Sequence, residues 1–140
     1  MASKRILLDT NVWIFGLRNA PEYPCCRRIL ANLPKFHVHV PRQILRELLE
    51  NLDQKEMIKF FGLVNFPSRR IAASWTLADA ELVKKYQRMG CKKGDAVVAA
   101  HAEALKIGVI ITENRGFLRQ CKRLPLVIMS SEEFSRIHGL

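Results

Sequence analysis

The chain has 140 residues, 49% of them hydrophobic, enough for one packed core and too apolar for intrinsic disorder. Its 23 Lys and Arg against 13 Asp and Glu leave a net charge of +10, which favours a polyanionic partner, nucleic acid being the commonest. No run of about 18 apolar residues is present to cross a bilayer, and the short apolar run behind the basic start is too brief for a signal peptide, so a cytoplasmic protein without membrane contact is expected.

In chain order, the first predicted strand is Ile6–Leu8. It runs into Asp9, with Val12, Trp13, Ile14 and Phe15 following. A carboxylate between two apolar segments is costly unless something compensates it. A helix is predicted over Pro24–Leu33, a strand over Val38–Val40, and a helix over Pro41–Leu52, where Ile44, Leu45, Leu48, Leu49 and Leu52 recur at helical spacing. Ile71–Ser74 is a weaker strand candidate, followed by a helix over Leu77–Met89. Asp95–Lys106 reads as a helix ending before Gly108, a plausible cap residue. Strand Val109–Ile111, a short helix over Asn114–Cys121, strand Leu126–Met129 and a last helix over Ser131–Ile137 complete the chain. Cys25, Cys26, Cys91 and Cys121 show no metal-binding spacing, and all four are read as reduced thiols.

Short strands alternating with helices, with no repeat or linker, predict one α/β domain over residues 1–140. Its strands are mostly continuous hydrophobics, as in a parallel sheet covered on both faces. In open parallel sheets, ligands bind beyond the carboxyl ends of the strands. Asp9 ends the first strand, where a polar group meets such a crevice instead of the core.

Other acids fall at comparable places. Asp95 opens a helix just after Gly94, and Glu47 flanks the apolar stripe of its helix while Glu50 points away from it. Thr112, Glu113 and Asn114 leave the predicted strand Val109–Ile111 at its end. Each has a plainer alternative: Asp95 as a helix cap, Glu47 as a surface ion-pair partner, Asn114 as the cap of the next helix. Asp9 alone carries no helix-capping or surface-pairing pattern of similar weight.

The segments LLDTNVWI, LRELLE, GDAVVAAHA and IITENRGF, in this order, resemble a PIN domain, and most of all the VapC-type toxins of toxin–antitoxin pairs. The resemblance covers essentially the whole chain. It implies a three-layer α/β/α sandwich with a central parallel sheet of about four or five strands. It also implies metal-dependent cleavage of RNA, with Mg²⁺ or Mn²⁺ held by acids at the strand ends. The family pattern falls on Asp9, Glu47 and Asp95, with Asn114 where an Asp is usual and Gly116 where a further acid is common. Both departures lower the negative charge available to a metal. Asp9 and Asp95 would bind the ion, Glu47 would bind it or orient its water, and Asn11 and Thr112 would support the acids by hydrogen bonding. Expected partners are RNA, a cognate antitoxin and a second copy of the chain.

Arg18, Lys92, Lys93, Arg115 and Arg119 lie in segments near the predicted acids, where they would hold phosphates. Trp13, Phe15 and Tyr23 are candidates for stacking on bases, with core or dimer contacts the competing role for Trp13 and Phe15. Two other classes compete with a ribonuclease. One is a PIN-like RNA- or protein-binding module with a weakened site. The other is a phosphatase with Asp9 as nucleophile, disfavoured because Asn11 replaces the second acid of D-x-D.

Overall fold

Ile6, Leu7 and Leu8 are fully buried because their strand, β1 (Arg5–Leu8), runs through the middle of a parallel sheet. The computed structural model describes residues 4–65, 71–120 and 123–140, so Cys121 lies outside it. After β1 come α1 (Thr10–Leu17), α2 (Pro24–Ala31), a 3-10 turn at Leu33–Lys35 and β2 (His37–Val40). Next are α3 (Arg42–Asn51), α4 (Gln54–Val64), β3 (Ile71–Ala73), α5 (Ala80–Arg88) and α6 (Lys93–Ala104). The chain closes with β4 (Val109–Ile111), α7 (Arg115–Gln120), β5 (Ile128–Met129) and α8 (Ser131–His138).

The sheet order is β3-β2-β1-β4-β5, with every pairing parallel. The chain first winds one way from β1 to β3, then crosses back to β4 and winds the other way. Right-handed crossovers then put α1 and α2 on one face and α5 and α6 on the other, the three layers expected from the sequence. α8 packs on α2, and α3 touches both α1 and α6. The winding direction reverses between the paired strands β1 and β4, the place where doubly wound sheets open a crevice.

Five strands and most helices fall where the sequence places them, with shorter ends: β5 keeps two of its four expected residues. α6 begins before Asp95, with Lys92 as its N-cap, so Asp95 is the third helical residue. Two helices were not expected. α1 is apolar all round, with Val12 and Trp13 fully buried, so it shows no amphipathic period. α4 is opened by an Asp53–Glu56 capping box. Cys25, Cys26 and Cys91 are free thiols, as read. Among the described residues no helix is long and apolar enough to cross a membrane.

α1 and α2 meet at Gly16, where an added Cβ would stand 2.5 Å from Leu30 Cδ1 and 3.1 Å from the Cys26 carbonyl oxygen. The backbone contact leaves no room for a methyl group. Gly16→Ala is expected to cost about 1–3 kcal/mol through overpacking, despite the better helix propensity of Ala. Urea unfolding measures it, and an unchanged midpoint would contradict this packing.

Candidate active site

β1 and β4 are neighbours, and the segments leaving their C-terminal ends meet in a hydrogen-bonded cluster. The Asp9 backbone N–H donates to the Ile111 carbonyl at 2.9 Å, which fixes the start of the loop. One Asp9 carboxylate oxygen accepts from the Thr10 N–H at 2.9 Å, capping α1. The other accepts from the Thr112 hydroxyl at 2.7 Å. Asp9 therefore does have a capping role, hidden from sequence reading because α1 itself was not foreseen. Thr112, fully buried, in turn accepts from the Asn114 N–H at 3.0 Å. Asn11 receives the Glu113 N–H at 3.1 Å and reaches Thr112 Oγ1 at 3.5 Å. Thr112 thus bonds Asp9 directly, and Asn11 reaches Asp9 only through Thr112.

α3 and α6 carry the other acids to this point. Glu47 accepts hydrogen bonds from the Thr10 hydroxyl and, at 2.7 Å, from Gln43 Nε2 one turn earlier. Asp95 faces in from the first turn of α6. Asp9, Glu47, Asp95 and Asn114 line one pocket of about 320 Å³. A larger pocket of about 440 Å³, walled by Leu17, Leu30 and Leu63 with Arg27 and Lys59 beside them, holds no carboxylate. Chemistry, not size, singles out the smaller one. Thr10 and Gln43 were not foreseen as site residues; the i, i+4 spacing of Gln43 and Glu47 was the available signal.

The acids burden one another. Burial pushes the Asp9 carboxyl from 3.8 up to about 6, against the bonds from Thr112 and Thr10 and helped by the charges of Glu47 and Asp95. Burial also raises Asp95, opposed by Lys92 and reinforced by Glu47. Oxygen donors of one sign, partly desolvated, fit a hard divalent cation, which would remove that repulsion. Among the described residues no three acidic, His or Cys side chains stand close enough to form a ready-made cage. Asp9, Asp95 and Glu47 could therefore hold such an ion only with small side-chain adjustments, or with water completing its shell.

A pH dependence follows for the metal-free protein. Because the folded-state pKa of Asp9 exceeds the unfolded value, the folded protein binds the extra proton between about pH 4 and 6. That contribution is present at low pH and is lost as pH rises through about 6. The thermal midpoint of Asp9→Asn minus that of the parent is expected to grow from pH 4 to pH 7 in EDTA. A flat difference would contradict the raised carboxyl; altered hydrogen bonding alone gives a constant offset.

The remaining candidates are distributed unevenly. The Asn114 side-chain oxygen accepts from the Gly116 N–H at 2.9 Å and the Phe117 N–H at 3.3 Å, so it caps α7. Arg18 sits past the far end of α1, paired with Glu56 at 2.6 Å. Lys92 caps α6, Lys93 begins it, and Arg115 and Arg119 are exposed on α7. Trp13 is fully buried edge-on to Phe60, which removes it as a base-stacking platform. Phe15 stacks on Tyr23 at 4.3 Å between ring centres.

Comparison with known proteins places the fold. VapBC2 from Rickettsia felis, solved bound to a DNA fragment from its promoter, superimposes with a TM-score of 0.62 at 19% identity, covering 90% of this chain and 98% of that one. PAE2754 from Pyrobaculum aerophilum gives a TM-score of 0.56 at 13% identity, covering 100% and 98%. No curated protein matches the chain. The PIN domain family matches residues 6–123, a span that takes in β1, β4 and every acid of the pocket. That match spans well over half of the chain, and with the five-stranded parallel sheet in place, the chain belongs to the PIN domain family.

Proposed function

We propose that this chain is a Mg²⁺- or Mn²⁺-dependent endoribonuclease and the toxin of a toxin–antitoxin pair, working in the cytoplasm. The observation that carries the reading is the meeting of Asp9, Glu47 and Asp95 in one pocket, with the Asp9 carboxyl raised to about 6 by burial and by the other two. When bound, the cation would lower the pKa of a water and screen the scissile phosphate. Asp9 and Asp95 would hold it, and Glu47, fixed by Thr10 and Gln43, would orient the attacking water and accept its proton. Thr112 keeps Asp9 aimed into the pocket. Lys92, Lys93 and Arg115 hold phosphates on either side of the bond being cut. The likeness to VapBC2 supports an antitoxin partner. The leucine-walled pocket with Arg27 and Lys59 suits an acidic, amphipathic segment of that antitoxin, and a homodimer is part of the proposal.

A second reading, a PIN-fold binding module that does not cut, draws on Asn114, whose side-chain oxygen is spent on capping α7. RNA binding at graded salt tests the substrate. Replacing Lys92, Lys93 and Arg115 with Ala is expected to flatten the log–log salt slope by up to about three. Replacing Lys4, Lys35 and Arg123, which precede β1, β2 and β5 and so lie away from the strand ends that carry the pocket, removes equal charge and should leave cleavage near that of the parent. Equal loss in both would mean that RNA is held by net charge alone and has no path over the acidic pocket.

A further inference from the structure

A second pocket of about 290 Å³ adjoins the acidic one, and the two share Glu47 and Gly94 as their common wall. Gln43, Arg46 and Glu50 of α3 line it on one side, and Lys93 and Val97 of α6 on the other. Gln43, Glu47 and Glu50 follow one another at helical spacing, so a single stripe of α3 serves both pockets. Glu50 points away from the apolar stripe of its helix, as expected, and that direction takes it here. Among the described residues Arg46, Glu50 and Lys93 form no ion pair, although acids and bases share the same small space.

We infer that this pocket is a base-reading subsite that takes guanine from the nucleotide next to the bond being cut. The inference rests on the ribonuclease reading for the presence of an RNA strand. Its lining argues against a phosphate, which would meet two carboxylates, Glu47 and Glu50. A base edge presents donors and acceptors together, which suits a lining of both signs. Guanine presents N1–H and N2–H₂ side by side, a pair that one carboxylate accepts, and carries acceptors at O6 and N7 for a Lys or Arg. Adenine instead turns N1, an acceptor, toward the carboxylate. The pocket is at the lower end of ligand-pocket sizes, which start at about 300 Å³, so it fits one base and not a longer stretch of strand. Glu50 reads the paired donors, Arg46 the acceptors, and Val97 contacts the ring.

The test titrates the metal-free protein with the four nucleoside 5′-monophosphates, followed by amide chemical shifts. Guanosine monophosphate is expected to bind about tenfold more tightly than the others, with shifts at Lys93 and Val97. Glu50→Gln, at an exposed position that should fold normally, is expected to bring guanine down to parity. Glu22→Gln, the same charge change on an exposed loop, should keep the preference. In parallel, cut sites mapped in random-sequence RNA should carry G at one fixed position beside the break. Cleavage without base preference, together with equal binding of the four nucleotides, overturns the subsite and leaves the ribonuclease standing. Selective binding without cleavage keeps the subsite and removes the ribonuclease.

Discussion

Asp95→Asn is expected to lower Mn²⁺-dependent RNA cleavage by at least about a hundredfold while the protein stays folded, since even residues behind a metal ligand are worth 10–100-fold. Asp95 is half-buried in the first turn of α6 and lines the same pocket as Asp9 and Glu47. Its charge is therefore useful to a cation and costly without one. The amide keeps the shape but removes the charge. Loss of the favourable acid at a helix start costs about 0.3–1 kcal/mol. Relief of repulsion with Glu47 acts in the opposite direction. Metal-free stability should then change little, as circular dichroism melting would show. Mn²⁺ affinity, read by calorimetry, should fall. Undiminished cleavage by this variant would mean that Asp95 is a helix-start residue and nothing more.

Trp13→Ala is expected to destabilise the protein by about 3–5 kcal/mol, the range for removing a buried aromatic side chain. The melting temperature should drop by roughly 10–20 °C. Trp13 is fully buried on α1 and meets the Phe60 ring of α4 edge-on at 5.0 Å, so it fastens the helix that begins at Asp9. Its ring N–H has no partner among the described residues, an unsatisfied group that already costs stability. Trp13→Phe removes that orphan and leaves a smaller void, so its loss should be clearly less than that of the Ala variant. Equal losses would mean that the ring contributes little beyond its Cβ.

Much of this arrangement was legible in the sequence, for identifiable reasons. Strands buried on both faces read as unbroken apolar runs, and Val109–Ile111 and Ile6–Leu8 did so. α3 was visible because one side of it is buried, whereas α6, buried on most sides, was visible through the Gly94–Asp95 opening and the Gly108 beyond its end. α1 was not, because a helix buried all round has no polar face to set its period, and with it went the capping role of Asp9. α4 carried a readable signal in the Asp53–Glu56 box that periodicity alone passes over. Asp9 and Asp95 could be foreseen because one follows a strand and the other opens a helix, and Glu47, in the middle of α3, because it flanks the apolar stripe of its helix. Hydrogen bonds between elements distant in sequence could not. Thr10 to Glu47 and Arg18 to Glu56 depend on how helices pack, which no local pattern encodes.

On this account Asp9 and Asp95 hold a divalent cation, and Glu47 works beside it, in the cutting of RNA. The most direct test is cleavage of a labelled single-stranded RNA by the purified chain with Mn²⁺, after EDTA, and after Mn²⁺ is restored in excess, with identically prepared Asp9→Asn alongside. The expected result is cleavage that EDTA stops and Mn²⁺ restores, absent throughout from Asp9→Asn. Cleavage that survives EDTA, cleavage equal in Asp9→Asn, or a folded parent that leaves RNA intact at every Mn²⁺ concentration would contradict it.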